Sequence, residues 1–189
     1  MINKILEVSN QTLDAIHLEP YKEFTRTHGV PKEWFYGLSG KEHYRLLIYI
    51  GQLYANETLL DVGTYQGSSA IALGLSGQNA VLSYDLLAQP EISFIQQDNI
   101  KFILEDITQT GKDVILSSPF ISLDTDHDGT FEHIFYKYLK DIGYTGLLML
   151  DDIKLNDPMK EFWDSIVEEK HDITHIGHWS GTGIVNFAK

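Results

Sequence analysis

Two short runs set carboxylates immediately after mainly apolar stretches. FISLD runs into Asp124-Thr125-Asp126-His127-Asp128, and GLLMLDD ends in Asp151-Asp152. An acid at the end of a buried strand is costly unless it is paired or binds something. Brought around one point, Asp124, Asp151 and Asp152 would destabilise one another unless a cation neutralised them. Oxygen-only ligands suit Mg²⁺, with Ca²⁺ or Mn²⁺ as substitutes, rather than zinc. His127 follows Asp124 by three residues, and its neutral imidazole could take a proton near pH 7. An exposed loop histidine is the plain alternative.

A second stretch, LLDVGTYQGSS at 59–69, joins an apolar run to the helix-compatible segment SSAIALGL through a loop holding Gly63 and Gly67. Glycine permits positive φ there and lets a ligand touch the backbone. Free N–H groups at the start of the helix offer bonds to a carboxylate or a phosphate. The dinucleotide fingerprint G-x-G-x-x-G fits this spacing poorly, which disfavours an NAD-dependent enzyme. AVLSYD ends in Asp85, whose carboxylate suits a ribose diol, and IKFILED ends in Glu105-Asp106. Solvated loop acids are the alternative for each.

The pattern acid-x-Gly-x-Tyr-x-Gly-x-Ser formed by Asp61, Gly63, Tyr65, Gly67 and Ser69 resembles motif I of the class I S-adenosylmethionine-dependent methyltransferases. In this fuller form it is similar to the catechol, caffeoyl-coenzyme A and sugar O-methyltransferases. The resemblance covers roughly residues 57–189. It implies S-adenosylmethionine bound by those five residues with Asp85 and Asp106, the last near the adenine amino group. It also implies a divalent cation on Asp124, Asp151 and Asp152, with His127 as the base. The reaction implied is metal-dependent O-methylation of a small-molecule hydroxyl on a catechol, sugar or other diol. Two other readings stay open. DTDHDG has Asp124, Asp126, Asp128 and Gly129 in the places of a calcium loop, although Phe135 stands where a bidentate Glu belongs. A non-catalytic binding protein could also have kept the fold.

The elements that must position these residues alternate. TLLDVG, AVLSYD, IKFILED, FISLD and GLLMLDD read as strands, with a terminal pair around DITHIGHW and GIVNFAK joined by a turn at Ser180–Gly183. KEHYRLLIYIGQLY, SSAIALGLS, PEISFIQQD, FEHIFYKYLKDIG and DPMKEFWDSIVEEK read as helices. The expected fold is α/β: a Rossmann-like, doubly wound, seven-stranded, mostly parallel sheet with a C-terminal antiparallel hairpin. Residues 1–189 form a single domain in this reading, with 1–57 a helical N-terminal cap and 58–189 the core.

Composition narrows the partners. A formal net charge of −13 disfavours nucleic acid and anionic membrane, because phosphate binding needs Lys and Arg. The chain has no cysteine, so disulfides and thiolate metal sites are excluded. No apolar run approaches a membrane span and the first residues lack an apolar signal core, so a cytoplasmic protein is expected. The expected partner is a small-molecule acceptor, and homodimerisation stays open. Trp34, Phe35 and Tyr36 could line an acceptor pocket or simply cover the sheet. Glu42 and His43 could approach the cofactor or be solvated helix charges. Trp163 reads as core, His178 and Trp179 as ambiguous, and His133, His171 and His175 show no ligand spacing.

Overall fold

Strands and helices alternate along the computed structural model, which describes residues 1–28 and 36–188. Helices α1 (Ile2–Leu6), α2 (Asn10–Asp14), α3 (Glu19–His28) and α4 (Tyr44–Leu53) precede β1 (Thr58–Val62). Then follow α5 (Ser68–Gly74), β2 (Ala80–Asp85), a 3-10 turn at Pro90–Phe94, β3 (Ile100–Leu104), α6 (Ile107–Thr110), α7 (Lys112–Ser117) and β4 (Phe120–Leu123). The chain ends with α8 (Thr130–Ile142), β5 (Leu147–Asp151), α9 (Asp157–Ser165), β6 (Glu169–Asp172) and β7 (Thr182–Asn186). The seven strands form one sheet in the order β3-β2-β1-β4-β5-β7-β6. β1 to β5 run parallel, and β7 is antiparallel to both β5 and β6. This is the expected doubly wound sheet with a reversed terminal pair.

Strand side chains alternate between faces, so a run that is apolar at every position must be covered on both sides. Leu59, Met149 and Ile184 pack with α1, α2, α4 and α5 in one core. Leu60, Val62, Ile121, Leu123, Leu148, Leu150 and Val185 pack with α8 and α9 in the other. On the first face, α4 lies so close to α5 that a Cβ on Gly51 would sit 2.1 Å from the Leu73 carbonyl oxygen. Asn79 bridges the same contact, its Nδ2 donating to the carbonyls of Gly51 and Leu73 at 3.2 and 3.0 Å. The Arg45 guanidinium fastens the preceding chain, donating to the carbonyls of Gly37, Asp14 and Ile16 at 3.0–3.2 Å. These ties fix the start of α4 above the sheet.

The differences from the sequence reading lie in polar or short segments. DPMKEFWDSIVEEK is helical only to Ser165; the chain then extends, and β6 is the charged tetrapeptide Glu169–Asp172. An edge strand needs one hydrogen-bonded neighbour and no apolar face, which hides it from a hydrophobicity pattern. The terminal strands are therefore joined by residues 173–181 rather than by a tight turn at Ser180–Gly183. PEISFIQQD is reduced to the 3-10 turn, and the helices α6 and α7, divided at Gly111, come where no element was expected.

The β1–α5 turn is shaped by the chain itself. Gly63 has φ +100°, and a Cβ there would stand 1.6 Å from the Asp124 carbonyl oxygen. The glycine is thus required by the neighbouring strand end, before any ligand arrives. Asp61 is fully buried beneath this turn. Ser83 Oγ donates to its Oδ2 at 2.6 Å and meets Thr64 Oγ1 at 2.6 Å, while Oδ1 has no hydrogen-bond partner. Burial raises the Asp61 carboxyl to about 7, against the lowering pull of the Ser83 and Ser69 hydroxyls. Two outcomes are expected. Gly63→Ala should destabilise by about 3 kcal/mol or more through overlap and strain, whereas Gly77→Ala, at φ +65° in open space, should cost about 1 kcal/mol; denaturant unfolding of both checks this. A buried acid that holds its proton more tightly folded than unfolded makes stability fall as pH rises from the unfolded value of 3.8 to the folded value of about 7, and the loss is complete above it. For Asp61 the loss between pH 5 and 8 should be on the order of 3 kcal/mol. Urea unfolding of Asp61→Asn should show that much less pH dependence, and equal slopes would exclude Asp61 as the titrating group.

Candidate functional site

The carboxyl ends of β1 to β5 meet at two adjoining cavities. The first, of about 660 Å³, is lined by Gly63, Tyr65, Asp85, Leu87, Asp106 and Phe131 among others. Asp85, at the end of β2, accepts the backbone N–H of Tyr65 with one oxygen and that of Leu87 with the other, each at 2.9 Å. Each oxygen keeps a second lone pair for a ligand hydroxyl. Asp106 caps α6, its Oδ1 accepting the N–H and the hydroxyl of Thr108 at 2.9 and 2.7 Å. Tyr65 holds φ +42°, with an exposed ring at the border of both cavities. The size, the acid and the apolar walls Leu86, Leu87, Ile107 and Phe131 fit a nucleoside such as that of S-adenosylmethionine. Asp61, Gly67 and Ser69 line neither cavity. Asp61 supports the turn from below, Gly67 turns the chain at φ +83° onto Ile95 and Phe102, and Ser69 is buried in α5.

The second cavity, of about 460 Å³, shares Tyr65, Asp124 and His127 with the first. Its other walls include Lys41, Glu42 and His43 from the chain before α4, Asp151 and Asp152 after β5, and His178 and Trp179 before β7. Asp124, Asp151 and Asp152 do come together, but imidazoles stand between them. His127 Nε2 lies 3.1 Å from Asp124 Oδ1 and 3.5 Å from Asp152 Oδ2. His43 Nδ1 lies 3.2 Å from Asp151 Oδ2, and His178 Nδ1 lies 3.4 Å from that oxygen and 3.3 Å from Asp152 Oδ1. Ser180 Oγ donates to Asp152 Oδ1.

Electrostatics follow from this interleaving. Burial works against charge on His43, His127 and His178, but the carboxylates outweigh it and raise them to about 9, 9 and 10. Burial likewise works to neutralise Asp151, yet His43 and His178 hold it well below the usual carboxylate range. Asp124 is raised by burial, against the hydrogen bond from His127. Glu42, buried beside His43, is pushed up to about 7 by desolvation. Flanked by Asp124 and Asp152, His127 thus favours its protonated form, where the sequence reading invoked the neutral imidazole.

An all-oxygen Mg²⁺ site does not fit this arrangement. Among the described residues, the group of three potential ligands with donor atoms within 4.8 Å of one another is His43, Asp151 and His178; Asp124, Asp151 and Asp152 do not form one. The calcium-loop alternative fails for a related reason. Asp126 and Asp128 are exposed, Asp128 is spent capping Thr130 N at 2.8 Å, and Asp124 is turned to His127. A strand, β4, leads into the loop where a helix should.

Sequence reasoning left His43 as either close to the cofactor or a solvated helix charge and His178 as ambiguous, and assigned neither to the site. The available signal was a polar Lys-Glu-His run directly before an apolar helix, and a His-Trp-Ser-Gly run before the last strand. Trp34 and Phe35 lie outside the described residues. Tyr36 packs against the first core rather than lining a cavity, with Lys22 Nζ 4.8 Å from its ring centroid. Trp163 packs beside the second core, and His171 faces Glu169 on the edge strand.

No family model and no curated protein matches this sequence. Solved structures do match in fold. An O-methyltransferase from Bacillus cereus in complex with SAH is 14% identical, with 98% of this chain and 100% of that chain covered, at a TM-score of 0.57. The SAH-bound methyltransferase PaMTH1 of Podospora anserina is 15% identical over 77% of this chain and 78% of that one, at 0.59. An rRNA methylase from Streptococcus thermophilus is 14% identical over 77% and 94%, at 0.51. In fold, the chain resembles the class I S-adenosylmethionine-dependent methyltransferases, O-methyltransferases among them.

Proposed function

We propose that this chain transfers the methyl group of S-adenosylmethionine to a hydroxyl of a small molecule such as a catechol, a sugar or another diol. The observation that carries the reading is the shared wall: Tyr65, Asp124 and His127 border both cavities. A transfer between two bound molecules needs two pockets meeting at one point, with the reacting atoms aligned. The nucleoside takes the cavity with Asp85 and Asp106, and the acceptor takes the one between His43, His178 and Trp179. The fold alone leaves the acceptor open, since an rRNA methylase shares it. A net charge of −13 and carboxylates lining the acceptor cavity disfavour a polyanion. No helix among the described residues is long and apolar enough to cross a membrane.

The sulfonium supplies an electrophilic methyl group when the cofactor is bound. The chain's task is to hold the acceptor oxygen in line and to remove its proton. Asp124 is the better first proton acceptor, because its carboxyl is raised by burial while His127 is already protonated. His127 keeps its proton and stabilises the developing charge, its Nε2 3.1 Å from Asp124 Oδ1. Closing the acceptor cavity falls to Trp179, which is 67% exposed at its mouth.

Calorimetry with S-adenosylhomocysteine tests the first half. Binding in the low micromolar range, about −8 kcal/mol, is expected, and Asp85→Ala should weaken it at least about tenfold while the variant stays folded. Asp124→Asn should keep that affinity and lose turnover on a diol panel. No binding by the wild-type chain would overturn the methyltransferase reading. Binding without turnover on any acceptor would make it a non-catalytic binder.

A further inference from the structure

We propose that His43, Asp151 and His178 form a binding site for a first-row transition-metal dication, a mixed nitrogen and oxygen site where an all-oxygen Mg²⁺ site was expected. The three residues come from distant parts of the chain: the start of α4, the end of β5 and the loop before β7. Their donor atoms lie within 4.8 Å of one another, with two of the separations at 3.2 and 3.4 Å. Donors about 2.1 Å from one ion, spread at octahedral to tetrahedral angles, stand about 3.0–3.4 Å apart. The two separations to Asp151 Oδ2 are those of neighbouring ligands on one ion.

A second observation points the same way. The side chains of His43 and Asp151 are each 5% exposed, yet both ring nitrogens of His43 and Oδ1 of Asp151 have no hydrogen-bond partner. Leaving such groups buried and unsatisfied is costly. His43 approaches Asp151 to 3.2 Å without an aligned hydrogen bond, an approach that also suits two ligands converging on an ion. Imidazole nitrogen favours Mn²⁺, Fe²⁺, Co²⁺ or Zn²⁺ over Mg²⁺ and Ca²⁺, which prefer oxygen. Three protein ligands leave coordination positions open, and all three line the second cavity. A vicinal diol would supply oxygens there. That last role rests on the methyl-transfer reading; the site itself does not.

The test uses the metal alone. Chelator-stripped protein is titrated with Co²⁺ and with Mg²⁺ by calorimetry, and the visible spectrum of the Co²⁺ form is recorded. Co²⁺ should bind at least about 100-fold more tightly than Mg²⁺ and show bands that shift when an imidazole is removed. His178→Ala and His43→Gln should each weaken Co²⁺ at least about tenfold, whereas His171→Ala on the edge strand should not. If His43→Gln fails to fold, His178→Ala decides, because His178 lies on a half-buried loop. Equal affinity for Mg²⁺ and Co²⁺, or Co²⁺ binding unchanged in His178→Ala, would overturn the site. S-adenosylhomocysteine affinity measured on the same samples separates the readings: loss of cofactor binding in the wild type sinks the methyltransferase and leaves the metal result standing.

Discussion

Between β1 and β4 the strand order reverses, and the connections on either side leave for opposite faces of the sheet. No crossover can cover the strand ends at such a point, so a crevice opens there. In this chain the crevice is held to a fixed width by backbone against backbone. Gly63 on one side meets the Asp124 carbonyl on the other with no room for a side chain, and Asp124 N donates to the Val62 carbonyl at 2.9 Å. Everything chemical is referred to that contact. Asp124 is aimed from its far edge, Tyr65 is set by the turn above Gly63, and the two cavities divide along the wall they form.

The charges near this point illustrate a balance rather than a simple attraction. Three carboxylates brought to adjacent strand ends would raise one another's pKa and tend to protonate. Two imidazoles, His43 and His178, reverse that for Asp151, at the cost of burying His43 almost completely. Such a cluster is poor evidence for stability, since desolvation offsets most of what the pairing gains. Its survival at the mouth of a cavity is better explained by work on a ligand. Unpartnered buried atoms on His43, Asp151 and His127 mark where the balance is incomplete at this site.

How much of this could be seen in the sequence depended on which physical signal each part leaves. The inner strands and α8 were legible because a strand buried on both faces is apolar throughout and a helix between Gly129 and Gly143 is punctuated at both ends. Asp124, Asp151 and Asp152 were legible as acids following such strands. β6 was not, because an edge strand of Glu, Lys, His and Asp leaves no apolar trace, and α6 and α7 are too short to show a period. The glycines of the β1–α5 turn were legible as a special turn but not in their cause: Gly63 yields to the chain's own carbonyl, and Asp61 to burial beneath it. His43 and His178 were the largest omission. Each is placed by tertiary ties that its weak local signal does not encode, α4 by its contact with α5 and by Arg45, and the last loop by the bonds from Ile153 N and Lys154 N to the Gly181 and Ser180 carbonyls.

The site therefore has two layers of different origin. The cavity proposed for the nucleoside is made from strand ends and the turns that follow them, which any chain with this sheet order must possess in some form. The acceptor cavity takes its remaining walls from the segment before α4 and from the long connection between β6 and β7, elements that hang on the sheet's edge and face without being dictated by it. Those outer elements supply both histidines that turn an all-carboxylate strand-end cluster into a nitrogen and oxygen set. A metal preference can then change with no change in the sheet, because the carboxylate Asp151 stays where β5 ends and only its neighbours differ. Likeness to solved structures at 14–15% identity shows the fold. On the proposed reading, the choice of acceptor and ion belongs to the outer layer, where His43, His178 and Trp179 stand.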